Sequence, residues 1–151
     1  MVGGETAEAA VVRMHILGDL RGEILLAFSK KNGLAFLDLL KGGPGRPESV
    51  FNEMNESVLK EAGSILSASY VKAIGDFLNV TIIHSVPNLM CDKMGVILND
   101  VLEDLAKRAE VAFCIETCFI ETSKRINGYF LFIPDVRGLE LILKTLGVLG
   151  R

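Results

Sequence analysis

Residues 52–78, NEMNESVLKEAGSILSASYVKAIGDFL, decide the architecture. Val58, Ala62, Ile65, Leu66, Val71, Ile74, Phe77 and Leu78 recur at helical spacing and form one apolar stripe, so a long helix is expected from about Asn52 to Leu78. On its N-terminal side, GGPGRP at 42–47 is the clearest internal boundary, and residues 43–50 read as a linker. Before it lie two short segments of strand type and one of helix type. In the first, AAVVRMHIL, Val12, Met14 and Ile16 alternate with Val11, Arg13 and His15 as in a half-buried strand. Turn residues at 17–22 then lead into EILLAFS, which predicts a hairpin. From Gly33, the apolar positions 34, 36, 37 and 40 suit a short helix ending near Gly42. Residues 1–8 read as a loose tail.

On the C-terminal side of the long helix, VTIIHSVP reads as a strand and MGVILNDVLEDLAKRA as a helix. Strands follow near 111–121 and 129–133, and GLELILKTLGVL closes the chain as a helix. Helices mixed with hairpin-linked strands indicate an α+β sandwich with a mostly antiparallel sheet. A repeat is also visible: GEILL at 22–26 runs to GLAFL at 33–37, and GYFLF at 128–132 runs to GLELI at 138–142. A strand-strand-helix unit is therefore expected twice, with the long helix having no counterpart before the first copy.

At 151 residues, half of them hydrophobic, the chain can bury a core as one domain over 1–151. No apolar run has the roughly 18 residues that a membrane-spanning helix needs, and the start MVGGETAEAA has neither the basic region nor the apolar core of a signal peptide. A cytoplasmic protein without a membrane role is expected. A net charge of -3 and a pI near 5.4 argue against a nucleic-acid partner, which would require a basic footprint. Three cysteines, Cys91, Cys114 and Cys118, contain no C-x-x-C pair, which fits a reducing compartment. In a strand, the Cα atoms of Cys114 and Cys118 would be roughly 13 Å apart, too far to bridge. With His15 and His84 isolated in strand-like runs, no metal site is expected.

Along the long helix, Ser57, Glu61, Ser64 and Ala68 follow at spacings of four, three and four and so stack on one face. Composition alone makes this an ordinary solvated face. Extending the interval to Pro87 changes the reading, because Ser57-x3-Glu61-x2-Ser64-x22-Pro87 resembles the signature of the CheC/CheX/FliY chemotaxis phosphatase family, which has Asp or Ser, Glu, Asn and Pro at those intervals. Three of the four positions match. KEAGSILSASYVKAIGDFL is similar to the family's helix, and the likeness continues through IIHSVPNLMCDKM to the last helix. Residues 10–42 resemble the strand-helix end of the first repeat of a CheC, without the helix that would lead it.

The resemblance implies a CheC-like sandwich and a phosphorylated response regulator, CheY, as partner. The helix would be inserted into the regulator's phosphorylation site, with Glu61 engaging a lysine there and position 64 orienting water for in-line attack on the aspartyl phosphate. Ser57 and Ala68 would contact the partner, and Pro87 would be the structural residue of the motif. No cofactor of its own is implied, since magnesium would be carried by the regulator. Position 64 departs from the pattern. A serine hydroxyl is shorter than the asparagine amide and has one rotating donor, whereas the amide holds a donor and an acceptor on a planar fork. A misplacement of roughly 1 Å can cost about a hundredfold in rate, so slow or absent phosphatase activity is expected. Ser67 and Ser69 face elsewhere on a regular helix, and Asn52 and Asn55 lie too near its start to replace the amide.

The alternative implied by the same resemblance is a non-catalytic adaptor that binds the receptor deamidase CheD, with the segment after Pro87, including Asp92, as its contact. A solvated helix start explains Asp92 equally well. The missing leading helix would leave apolar sheet exposed, and a homodimer that covers it is a further expectation.

Overall fold

The hairpin and the long helix both form. The structure, a computed structural model, describes residues 6–41, 52–105, 112–121 and 124–148. Strand β1 (Glu8–Gly18) pairs antiparallel with β2 (Gly22–Ser29), from Ala9 opposite Ser29 to Ile16 opposite Gly22. β1 starts at Glu8, inside the expected tail. The rest of that tail up to residue 5, and the linker at 43–50, lie outside the described residues. The short helix α1 (Lys30–Leu40) begins three residues before Gly33, because the Ser29 hydroxyl accepts a hydrogen bond from the Asn32 N–H and caps it.

Helix α2 (Glu53–Leu78) matches its expected bounds. The Asn52 side chain accepts from the Asn55 N–H at its start, and Glu53 and Glu56 place negative charge in the first turn, where the helix dipole favours it. Asn79 ends it in the left-handed conformation, at φ 55°. Next come β3 (Ile82–His84), β4 (Asn88–Lys93), α3 (Met94–Leu105), β5 (Phe113–Glu121), β6 (Lys124–Pro134) and α4 (Val136–Thr145). β4 has no counterpart in the reading from sequence, which ended its strand at Pro87.

All strands join one six-stranded sheet in the order β3-β1-β2-β6-β5, with β4 also on the free edge of β1. Every pairing is antiparallel. The two strand-strand-helix units, β1-β2-α1 and β5-β6-α4, meet at the centre of the sheet, where Leu25 of β2 stands opposite Leu131 of β6. Each helix in these units is capped from the end of its strand, α1 by Ser29 and α4 by Asp135, whose carboxylate accepts from the Gly138 N–H.

Residue parity assigns the two faces of the sheet. Val12, Ile16, Ile24, Leu26, Phe28, Phe130 and Phe132 share a core with Phe36 and Leu37 of α1, Leu59 and Val71 of α2 and Ile142 of α4. Ala9, Val11, Leu25, Ala27 and Ile133 pack instead under Met94, Ile97 and Val101 of α3. Val11 therefore departs from the half-buried reading of its strand, because a helix covers its side as well. Farther along that face, Arg13 makes a two-pronged ion pair with Glu23, at 3.0 and 2.7 Å, and both side chains are nearly buried.

The burial of α2 corrects the predicted stripe. Its buried line is Asn55, Leu59, Gly63, Ser67, Val71, Gly75 and Leu78, while Ile65 and Phe77 are 64% and 62% exposed. Small residues let the helix lie close on the sheet: a Cβ added at Gly63 would stand 2.7 Å from Val12 Cγ2. A pattern of large apolar residues cannot register such a contact.

Candidate functional site

On the solvent side of α2, an open depression is lined by Ser57, Lys60, Glu61, Ser64, Ile65 and Pro87. Three of these come from successive turns of one helix, and the rise per turn sets their separation at about 5–6 Å. Pro87 comes from the neighbouring strand edge. Against β1, His84 stands opposite Ile16 and Asn88 opposite Arg13, so Met14 and His15 face the three residues Ser85, Val86 and Pro87. One extra residue on the outer strand is a β-bulge. Ser85 fastens it: its N–H donates to the His15 carbonyl and its hydroxyl accepts from the His15 N–H, both at 2.9 Å. Proline has no N–H for a ladder, and an edge-strand bulge is where it is tolerated.

The four residues of the spaced motif are thus brought together, and Lys60 and Ile65 join them. The two additions follow from helical geometry. At 100° per residue, Lys60 lies about 60° to one side of Ser57 and Ile65 about 80° to the other, so they flank the line of Ser57, Glu61 and Ser64. Ala68 does not line this depression. It rims the next one along the helix with Val71, Lys72, Gly75, Asp76, Val80, Ile82 and His84, where Lys72 pairs with Asp76 at 2.8 Å.

Asp92 is placed differently from its expected position. It lies in β4 opposite Ala9, hence on the sheet face that α3 covers, across the sheet from α2. Its carboxylate accepts from the Lys93 N–H at 2.7 Å rather than heading a helix.

No amide substitutes for Ser64 among the described residues that line the depression. Asn52 caps α2. Asn55 is buried, and its side-chain oxygen accepts from Lys41 Nζ. Asn88 shares the face of Arg13, across the sheet. Ser69 donates to the Ile65 carbonyl, and Ser67 is fully buried with its hydroxyl unpaired. Lys60 and Glu61 have no ion-pair partner among the described residues, so both charges are available to an incoming group.

Cys91, on the α2 side of β4, is no nucleophile: burial, and then the charge of Glu56, push its thiol up to about 11. Among the described residues, no group of three His, Cys, Asp or Glu side chains could hold a metal ion. No described helix is long and apolar enough to cross a membrane.

Residues 54–91, from the first turn of α2 to β4, match the CheC-like family, so the matched segment contains the whole spaced motif. The chain is 26% identical over 149 residues to the CheY-P phosphatase CheC of Bacillus subtilis, covering 96% of this chain and 71% of that protein. In fold it is similar to FliY of Thermotoga maritima, with a TM-score of 0.69 at 21% identity, over 95% of this chain and 71% of that one. It is also similar to a structure of the CheX–CheY complex with beryllofluoride and magnesium from Borrelia burgdorferi, with a TM-score of 0.53 at 12% identity, covering 88% and 79%.

Proposed function

This chain belongs to the CheC/CheX/FliY family of chemotaxis proteins, and we propose that it docks α2 on a phosphorylated CheY-like response regulator and slowly hydrolyses its aspartyl phosphate. The observation that carries this reading is the convergence of Ser57, Glu61, Ser64 and Pro87 on one solvent-open depression. In the reaction, water oxygen bonds to phosphorus, the bond from phosphorus to the aspartyl oxygen breaks, and its electron pair leaves on the carboxylate. The water proton passes to solvent, and inorganic phosphate departs. An acyl phosphate is already reactive, so the docked helix has only to orient water and hold the partner. Glu61 anchors a lysine of the regulator, and Ser64 contacts the water with a single rotating hydroxyl. The regulator brings its own magnesium.

The test is the decay of phosphorylated CheY from the same organism, with and without the protein. Faster decay that is lost in Glu61→Ala supports the reading. No acceleration turns the assignment to the non-catalytic adaptor, for which the amide-free depression is the favouring observation and CheD the partner to try. Asp92 is the residue to vary in that case, and its place across the sheet allows it to be tested without disturbing α2.

The homodimer is proposed at a different surface. Ile74, Phe77 and Leu78 of α2 form an apolar groove with Phe113, Phe132, Ile142 and Leu146, and a second copy of the chain packed there would cover Phe77. Light scattering that gives a monomer mass at high concentration would sink this.

A further inference from the structure

Resting on that reading, we propose that Lys60 contacts the phosphoryl group of the docked regulator and offsets part of what Ser64 lacks. Lys60 lines the same depression as Glu61 and Ser64, yet the spaced motif assigns it no role. It stands one turn before Ser64, and because side chains on a helix tilt toward its N-terminus, the Ser64 hydroxyl leans back toward the turn that carries Lys60. The flexible four-carbon stem lets an ammonium sweep the floor of an open depression. Neither Lys60 nor Glu61 is held in an ion pair by a described residue.

The two adjacent charges complement the proposed partner. A phosphorylated receiver site presents an anion, the phosphoryl group, beside the lysine that Glu61 engages. A carboxylate alone on the docked helix would repel the phosphoryl group, whereas a neighbouring cation reverses that sign where the anion lies. In phosphoryl transfer, negative charge spreads over the three equatorial oxygens, and a positioned cation that meets them lowers the barrier. Serine supplies one uncharged donor there, so a cation one turn away has more to contribute than it would beside an amide.

The experiment measures two things for the natural protein, Lys60→Gln and Lys60→Arg: the rate of decay of phosphorylated CheY, and affinity for CheY with and without beryllofluoride as the phosphoryl stand-in. Lys60 is half-buried on the outer side of α2, and thermal melts establish that the variants fold. The expected result is a fall of about tenfold or more in kcat for Lys60→Gln, most of it restored in Lys60→Arg. Affinity for the beryllofluoride-loaded regulator should weaken, while affinity for the unloaded one stays unchanged. Acceleration by the natural protein with no change in Lys60→Gln overturns the role of Lys60 and leaves the phosphatase reading intact. Tight binding without acceleration, weakened by Lys60→Gln only when beryllofluoride is present, keeps Lys60 and removes the phosphatase. Neither binding nor acceleration ends both.

Discussion

Gly63 lies against Val12 so closely that a methyl group there would stand 2.7 Å from Val12 Cγ2. This contact sets the distance between α2 and the sheet, one residue from Ala62 and one from Ser64. Gly63→Ala should therefore lose stability despite the better helix propensity of alanine, because overpacking costs about 1–3 kcal/mol and propensity returns about 1. Urea denaturation of the two proteins checks the sign. A stabilised variant would mean that Val12 yields at no cost and that the helix is not held by this contact.

The same contact shows why the chain was only partly legible. The extent of α2 and its motif line could be read from spacing, since both are properties of one helix. The face it buries could not, because Gly63, Ser67 and Gly75 are buried for their small size and leave no apolar signal, while Ile65 and Phe77 carry the signal and face solvent. The position of Pro87 was legible as an interval, but the bulge that delivers it depends on pairing with β1, a long-range relation that no local pattern encodes. The place of Asp92 was not legible for the same reason: which side of the sheet it takes follows from its register opposite Ala9.

Ser64→Asn should raise the rate of CheY-P decay by roughly tenfold to a hundredfold, since a planar amide can both accept from and donate to the attacking water and fixes it within the distance that matters for in-line attack. The readout is the first-order decay of the phosphorylated regulator at equal protein concentration. An unchanged rate would show that Ser64 does not limit catalysis.

Arg13 and Glu23 are a nearly buried pair on the α3 side of the sheet, and Glu23 also lies 3.3 Å from His15 Nδ1, so truncating Glu23 removes both carboxylate contacts of the guanidinium at once. Glu23→Ala should cost about 1.5–3 kcal/mol in chemical denaturation, the size of a lost charge-assisted hydrogen bond. Replacing both at once, with Arg13→Met and Glu23→Leu, should recover much of that loss, because two apolar side chains need no compensation. A double variant as unstable as the single one would assign the pair a structural role beyond charge.

Cys91 should resist alkylation near neutral pH while exposed Cys118 reacts, as burial and then Glu56 raise the Cys91 thiol to about 11. Its ordinary value is 9.0, so the folded chain keeps this proton longer than the unfolded one as pH rises. Stability from this group is full below about pH 9 and declines through the window up to about 11. Thiol titration of a Cys118→Ser variant across that window checks it, provided that Cys114 is replaced as well. Rapid labelling of Cys91 at pH 7 would contradict its burial.

Deleting Val86 would leave Ser85 and Pro87 opposite Met14 and His15, two residues against two, with the registers of β3 and β4 on either side already in place. Val86 is 82% exposed, so little packing is lost with it. The outer strand is a sheet edge, where a proline without an N–H is tolerated. The fold should therefore survive, with a melting temperature within a few degrees of the natural protein. Docking should weaken, because Pro87, although it stays on the α2 side of the sheet opposite Met14, is drawn in against β1 when the outer strand is made regular and projects less into the depression. Affinity for beryllofluoride-loaded CheY is the measurement, with circular dichroism to establish folding. Unchanged affinity in a folded deletion variant would show that docking does not need the projection that the bulge provides.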